Sequence, residues 1–177
     1  MKELSAGVLL AWQVAAIETG IANHQFIEKE QLLIGICSLE KIFMSRKLNL
    51  NFYERELNEV KFENESMKSL LSKYKLTSTS LRRELRKKYG KGNYKHTEGV
   101  IHRSEICKEF FKKAELLAAN SNKVGCFHLF AAILENPKGV IKEILKGRGV
   151  KPNEMQKKAL FFARVSLKGR NHDSYVI

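Results

Sequence analysis

Two stretches of this chain, one opening at Ser5 and the other at Ser104, run through the same kinds of side chain in the same order. Serine is favoured at a helix N-cap because its short side-chain oxygen accepts from an otherwise orphaned N–H of the first turn. Ala15 and Thr19 stand as far from Ser5 as Ala114 and Ala118 stand from Ser104, and Trp12 then lies opposite Phe111. Small residues four apart share one helix face and let a neighbouring helix approach closely. After a loop, Ile27 precedes Glu30-Gln31-Leu32-Leu33-Ile34-Gly35-Ile36, as Val124 precedes Phe127-His128-Leu129-Phe130-Ala131-Ala132-Ile133, with the second loop two residues shorter. A period of about 99 residues is too long for a solenoid unit. The reading is a duplicated helical half-domain with pseudo-twofold packing.

The remaining segments agree with an all-α fold. Prolines number two, Pro137 and Pro152, and 44% of the 177 residues are hydrophobic, enough for one domain with a real core. Val8, Trp12, Ala15, Ala16 and Thr19 define a first helix from Ser5, and Leu32, Leu33, Ile36 and Leu39 a second. Phe52, Leu57, Val60, Met67, Leu70, Leu71 and Tyr74 predict one or two amphipathic helices. The Thr77–Ser80 cluster offers caps for a short basic helix through Leu81, Leu85 and Tyr89 that Gly90 can end. Gly90–Gly99 reads as a flexible connector. In the second half, helices are expected from Ser104, before Asn136-Pro137, up to Gly147, and from an Asn153 cap. Repeat 1 is placed at about 4–76, the basic connector at 77–100, repeat 2 at 101–168, and a tail or linker at 169–177.

These residues resemble the Clp N-terminal repeat domain, the module that precedes the ATPase rings of Clp unfoldases. That family opens its first repeat with an aromatic-Thr pair, here Leu4-Ser5, and has a Gly-His loop, here Asn23-His24, leading to an Ile, here Ile27. Its Glu-His-Leu-Leu segment is matched by Glu30-Gln31-Leu32-Leu33 and, in the second repeat, by Phe127-His128-Leu129-Phe130. Ile101–Ser104 resembles the second opening, and Ile144-Leu145 with Gly149-Val150 the closing helix. The resemblance covers most of the chain outside about residues 55–95. It implies two four-helix repeats around one core, no catalysis, no cofactor or metal, and recruitment of adaptors or partly unfolded proteins. It also implies a site rimmed by the repeat starts: Ser5, Glu30 and Gln31, with Ser104, Phe127 and His128. In some members the acid of each Glu-His pair binds phosphorylated arginine; Glu30 fits the first position, while Phe127 offers no carboxylate at the second.

The motifs narrow the function further. No GxxxxGK[ST] loop is present, since Gly90-Lys91-Gly92 and Gly147-Arg148-Gly149 lack its spacing. Cys37, Cys107 and Cys126 are odd in number and far apart, which fits buried thiols in a reducing cytoplasm. His24, His96, His102, His128 and His172 are scattered, and a hydrogen-bonded packing role is the plainer reading of His128. No apolar run reaches the roughly 20 residues that span a bilayer. A net charge of +13 favours acidic partners. Much of it falls at residues 68–95, where Arg82, Arg83, Arg86, Lys87 and Lys88 are candidate anion-binding residues interleaved with Tyr74, Tyr89 and Tyr94. Three readings stand for that segment: a solvated face, a nucleic-acid surface, or a dock for an acidic adaptor. The expectation is a monomeric recruitment module for substrate or adaptor proteins. Nucleic-acid binding by residues 68–95 and accessory docking on a Clp ATPase or peptidase are the alternatives.

Overall fold

A computed structural model describes residues 2–45, 53–97 and 99–168, with side chains for 2–42, 53–97 and 99–165. Phe52 and the expected tail at 169–177 lie outside the described residues. Among the described residues, the chain is all-α apart from two two-residue strands. Its helices are α1 (Ala6–Ile21), α2 (Lys29–Ile36), α3 (Leu39–Ser45), α4 (Glu54–Ser72), α5 (Ser78–Tyr89), α6 (Glu105–Leu117), α7 (Cys126–Leu134), α8 (Gly139–Gly147) and α9 (Pro152–Lys168). The strands are β1 (Glu3–Leu4) and β2 (Lys123–Val124). Among the described residues, no helix is long and apolar enough to cross a membrane.

Local chemistry starts the two halves identically. Ser5 Oγ accepts from Val8 N–H at 3.2 Å, and Ser104 Oγ accepts from Cys107 N–H at 3.0 Å. Both serines sit in extended backbone just before their helices. On α1, Ala15 and Thr19 are fully buried, as are Ala114 and Ala118 in the second half. Trp12 and Phe111 meet with ring centroids 5.4 Å apart.

The halves are bound to each other by an exchange of backbone. β1 pairs in parallel with β2, so the opening of repeat 1 lies against the loop of repeat 2. Reciprocally, Ile27 bridges Arg103, which places the loop of repeat 1 against the opening of repeat 2. Ser5 N–H donates to Val124 O at 2.9 Å, and Ser104 N–H to Ile27 O at 3.2 Å. Ile27 and Val124 are thus equivalent in space as well as in sequence, the self-complementary contact expected of a pseudo-twofold axis.

A further equivalence lies at the ends of α4 and α8. α4 closes with Lys75 at φ +54° and a bond from Leu76 N–H to Leu71 O; α8 closes with Gly149 at φ +66° and a bond from Val150 N–H to Leu145 O. These are the same left-handed helix stop, so α5 follows it as α9 does in the second half. α5 packs on α2 as α9 packs on α7. The stop of α4 thus matches that of α8, and the helix after each packs back on the second helix of its half, on the far side of the boundary expected near residue 76. Sequence periodicity missed this because a basic amphipathic helix beside a glycine reads equally well as an insertion.

Two other expectations change. Gly90–Thr97 is pinned to the α1–α2 loop: Gly92 N–H donates to Ala22 O at 2.8 Å and Tyr94 N–H to Asn23 O at 2.9 Å. His96 Nε2 donates to His24 O at 2.8 Å, and the His24 ring stacks on Tyr89 at 4.5 Å. The last helix starts at Pro152 rather than after an Asn153 cap. Proline is well placed there, since its missing N–H would have no intrahelical partner.

One continuous core joins both halves, with Leu10, Ile27, Leu32, Leu33, Leu70, Phe127 and Phe130 among its largest buried side chains. Burying each such side chain contributes about 1.5–3 kcal/mol.

Candidate functional site

The residues at the repeat starts are frame, not rim. Ser5, Glu30, Gln31, Phe127 and His128 are 6% exposed or less, and Ser104 is half-buried. They form two separate junctions, one beside each swapped contact. In the first, Glu28 N–H donates to Gln31 Oε1 at 2.9 Å, and Ser104 Oγ donates to Glu28 Oε2 at 2.8 Å. Glu30 pairs with Lys29 at 2.8 Å. In the second, Gly125 N–H donates to His128 Nδ1 at 3.0 Å, so His128 does for α7 what Gln31 does for α2. That bond places the ring proton on Nε2, which faces Ser121 Oγ at 3.3 Å. Phe127 stacks on Phe162 at 5.5 Å, leaving neighbouring Phe161 64% exposed.

The second junction has no acid at the position of Glu28, because Gly125 stands there. Glu63, on α4, supplies one. Its carboxylate accepts from Ser5 Oγ at 3.0 Å and from Cys126 N–H at 2.8 Å. A Cβ on Gly125 would sit 2.6 Å from Glu63 Oε1, and one on Gly7 2.1 Å from Glu63 Oε2, so both glycines keep room for it. Burial pushes the Glu63 carboxyl up to about 6, against the lowering pull of the Cys126 N–H and Ser5 hydrogen bonds, with Glu59 nearby adding to the rise. The raised value means the folded state favours the protonated acid. Its contribution is complete below pH 4.5 and is lost as pH rises to 6, about 2 kcal/mol in all. Glu63→Gln is therefore expected to stabilise the protein by up to about 2 kcal/mol at pH 7, with the difference vanishing near pH 4.5, in urea unfolding at both values. A constant difference across that range would mean that the acid does not titrate in the folded protein. Sequence reading passed over Glu63 because it sits in a polar helix with no spacing relation to Ser5 or Cys126.

The other candidate anion-binding residues do not form one open patch. Arg82 is buried. Arg86 is held by the Glu18 carboxylate, its Nε donating at 2.8 Å, and Lys88 lies 3.6 Å from Glu143. Arg83 and Lys87 are exposed.

The cysteines are chemically quiet. Burial pushes the thiols of Cys37 and Cys107 up to about 12 and raises that of Cys126 well above the ordinary thiol range, so none presents a thiolate near neutral pH.

A groove of about 1310 Å³ runs between α6 on one side and α8 with the start of α9 on the other. Its apolar floor includes Ile106, Phe110, Pro137 and Val150. Six lysines line it, Lys29, Lys113, Lys138, Lys142, Lys146 and Lys151, against Glu109, Glu135 and Glu154. Lys29 pairs with Glu30, Lys113 with Glu135 at 3.7 Å, and Lys151 with Glu154 at 3.0 Å. Lys138, Lys142 and Lys146, four apart from the N-cap of α8 onward, are exposed and make no ion pair among the described residues. Spacing of four aligns them on one face. That stripe was visible in the sequence, but only the fold places it across from α6.

Near the pseudo-twofold axis, the Arg103 guanidinium lies 4.1 Å from the Trp12 ring centroid and 4.5 Å from that of Phe111. Arg103 occupies the place of Leu4 in the first half.

No protein-family model and no curated protein matches the sequence. Solved structures do match. The Hsp104 N-terminal domain from Candida albicans is similar over 90% of this chain and 90% of its own, with a TM-score of 0.60 and 14% identity. At that identity the likeness concerns the path of the chain: this protein has the fold of a Clp N-terminal domain.

Proposed function

We propose that this domain is a non-catalytic recruitment module that holds acidic segments of substrate or adaptor proteins in the groove between α6 and α8, in the service of a Clp-type unfoldase. The observation that carries this reading is the unpaired Lys138–Lys142–Lys146 stripe facing an apolar floor at Ile106 and Phe110. An extended peptide with alternating acidic and apolar residues meets both surfaces at once. The fold of the Hsp104 N-terminal domain supports the link to unfoldases. Glu30, Gln31, Ser5, Ser104, Phe127 and His128 then act by fixing the junctions, and Glu30 also by anchoring Lys29 at the groove edge.

The test is fluorescence anisotropy with a labelled peptide of alternating Glu and Leu, at low and moderate salt. Reversing Lys138, Lys142 and Lys146 to Glu is expected to weaken binding about tenfold at low salt, because rim charges each contribute up to about 1 kcal/mol and act mainly on association rate. Unchanged affinity in the triple variant would overturn the proposal. Tighter binding of an oligonucleotide than of the peptide, falling steeply with salt, would favour the nucleic-acid alternative instead.

A further inference from the structure

Arg82 is a buried cation that makes no ion pair among the described residues. It is 9% exposed, and its Nε, fully enclosed, has no hydrogen-bond partner. Its Nη1 donates to Ser38 Oγ at a long 3.5 Å, and that hydroxyl already donates to Ile34 O at 2.7 Å. Cys37 lies beside it, but burial holds the thiol protonated, so it offers no negative charge. Arg86 and Arg83 repel Arg82, and Glu18, which draws on it favourably, is itself engaged by Arg86. A largely buried guanidinium with so few polar partners is stabilised by an anion that joins it.

The place where an anion would join it is present. Arg82 lines a pocket of about 400 Å³ with Cys37, Glu40, Lys41, Thr79 and Arg83. Thr79 belongs to the first turn of α5, whose early N–H groups carry the positive end of the helix dipole. Thr77 Oγ1 caps Ser80 N–H, which leaves the N–H groups of Ser78 and Thr79 without partners among the described residues. The one acid in the lining, Glu40, is engaged by Lys68 at 3.0 Å.

We infer that this pocket is a phosphate-binding site, in which Arg82, Arg83 and Lys41 balance the charge while Thr79 and the start of α5 donate hydrogen bonds. The site is separate from the lysine-lined groove and does not depend on the recruitment reading. Its ligand is either free phosphate or a phosphorylated side chain, since both present the same tetrahedral oxygens to charge-assisted donors.

Amide NMR titration of the whole chain with inorganic phosphate, against sodium chloride at equal ionic strength, tests this. The expected result is saturable shifts at Ser38, Ser78 and Thr79 that chloride does not reproduce. Arg83→Gln, an exposed change, is expected to weaken binding about tenfold, the loss of one charge-assisted hydrogen bond. Arg82→Met removes the buried charge while filling its volume. It should abolish the saturable shifts yet leave the phosphate-free protein at least as stable. If that variant does not fold, Thr79→Val with Arg83→Gln serves in its place. Shifts that merely follow ionic strength, or that survive Arg83→Gln and Arg82→Met unchanged, would sink the inference. A second arm separates the sources. N-acetyl-phosphoserine amide binding at the same amides, with no response to N-acetyl-serine amide, points to a phosphorylated partner; exclusion of the amide while phosphate binds points to the free ion.

Discussion

Gly35→Ala is expected to destabilise the protein by about 3 kcal/mol, more than any surface change considered above. Gly35 lies on α2 where it crosses α1, and a Cβ there would stand 2.0 Å from the backbone oxygen of Ala11. That oxygen belongs to a helix and cannot rotate aside as a side chain can. The two helices would have to separate by about 1 Å across a close-packed contact, which interiors resist. The better helix propensity of alanine, up to about 1 kcal/mol, offsets only part of the cost. Thermal unfolding should fall by about 6–12 °C for a chain of this size. Gly147→Ala is the control, because a Cβ there meets nothing within 4 Å; it should be neutral or slightly stabilising. Equal melting of the two variants would show that the α1–α2 crossing is not tight. The counterpart of Gly35 in the second half is Ala132, fully buried, so that crossing already accommodates a methyl group.

Acidification should separate His128 from Glu63. Burial, with a smaller push from Lys2, lowers the His128 pKa to about 4 from an ordinary 6.5. A depressed histidine favours its neutral form in the fold, so its contribution is complete above pH 6.5 and is lost as pH falls to 4, roughly 3 kcal/mol. Glu63 works in the opposite direction between pH 6 and 4.5. In the natural protein the two slopes partly cancel. His128→Gln borrows the residue that caps α2 at Gln31, so the bond from Gly125 N–H is kept while the titration is removed. Relative to the natural protein, this variant should gain about 3 kcal/mol between pH 6.5 and pH 4 in urea unfolding. Glu63→Gln should show the reverse, a relative loss of about 2 kcal/mol as pH falls from 6 to 4.5. Parallel pH profiles for His128→Gln and the natural chain would mean that the imidazole is not held neutral.

Both effects arise where the two repeats differ. At Gln31 and His128 the same cap is made with an amide in one half and an imidazole in the other. At Glu28 and Gly125 the first half carries its own acid, and the second takes one from a helix about sixty residues earlier in sequence. A duplicated frame therefore tolerates exchange of parts provided each junction keeps a capped helix start and a carboxylate near the swapped strand. Ser5 and Ser104 hold the same role on both sides, which is why the openings were readable and the acid of the second junction was not.

From the order of residues alone came the all-α class, the two openings at Ser5 and Ser104, the small-residue faces at Ala15, Thr19, Ala114 and Ala118, and the apposition of Trp12 and Phe111. Those features rest on bonds and periodicities that act within a turn or two of helix, so they are written locally. The tertiary structure decided the rest: the exchanged strands, the packing of α5 on α2, the carboxylate of Glu63 between Ser5 and Cys126, the burial of Arg82, and the facing of Lys138, Lys142 and Lys146 across a groove from Phe110. Each joins groups that no spacing rule connects, because their meeting is set by how packed helices exclude water around one core, and only then by the charges and hydrogen bonds that burial forces to find partners.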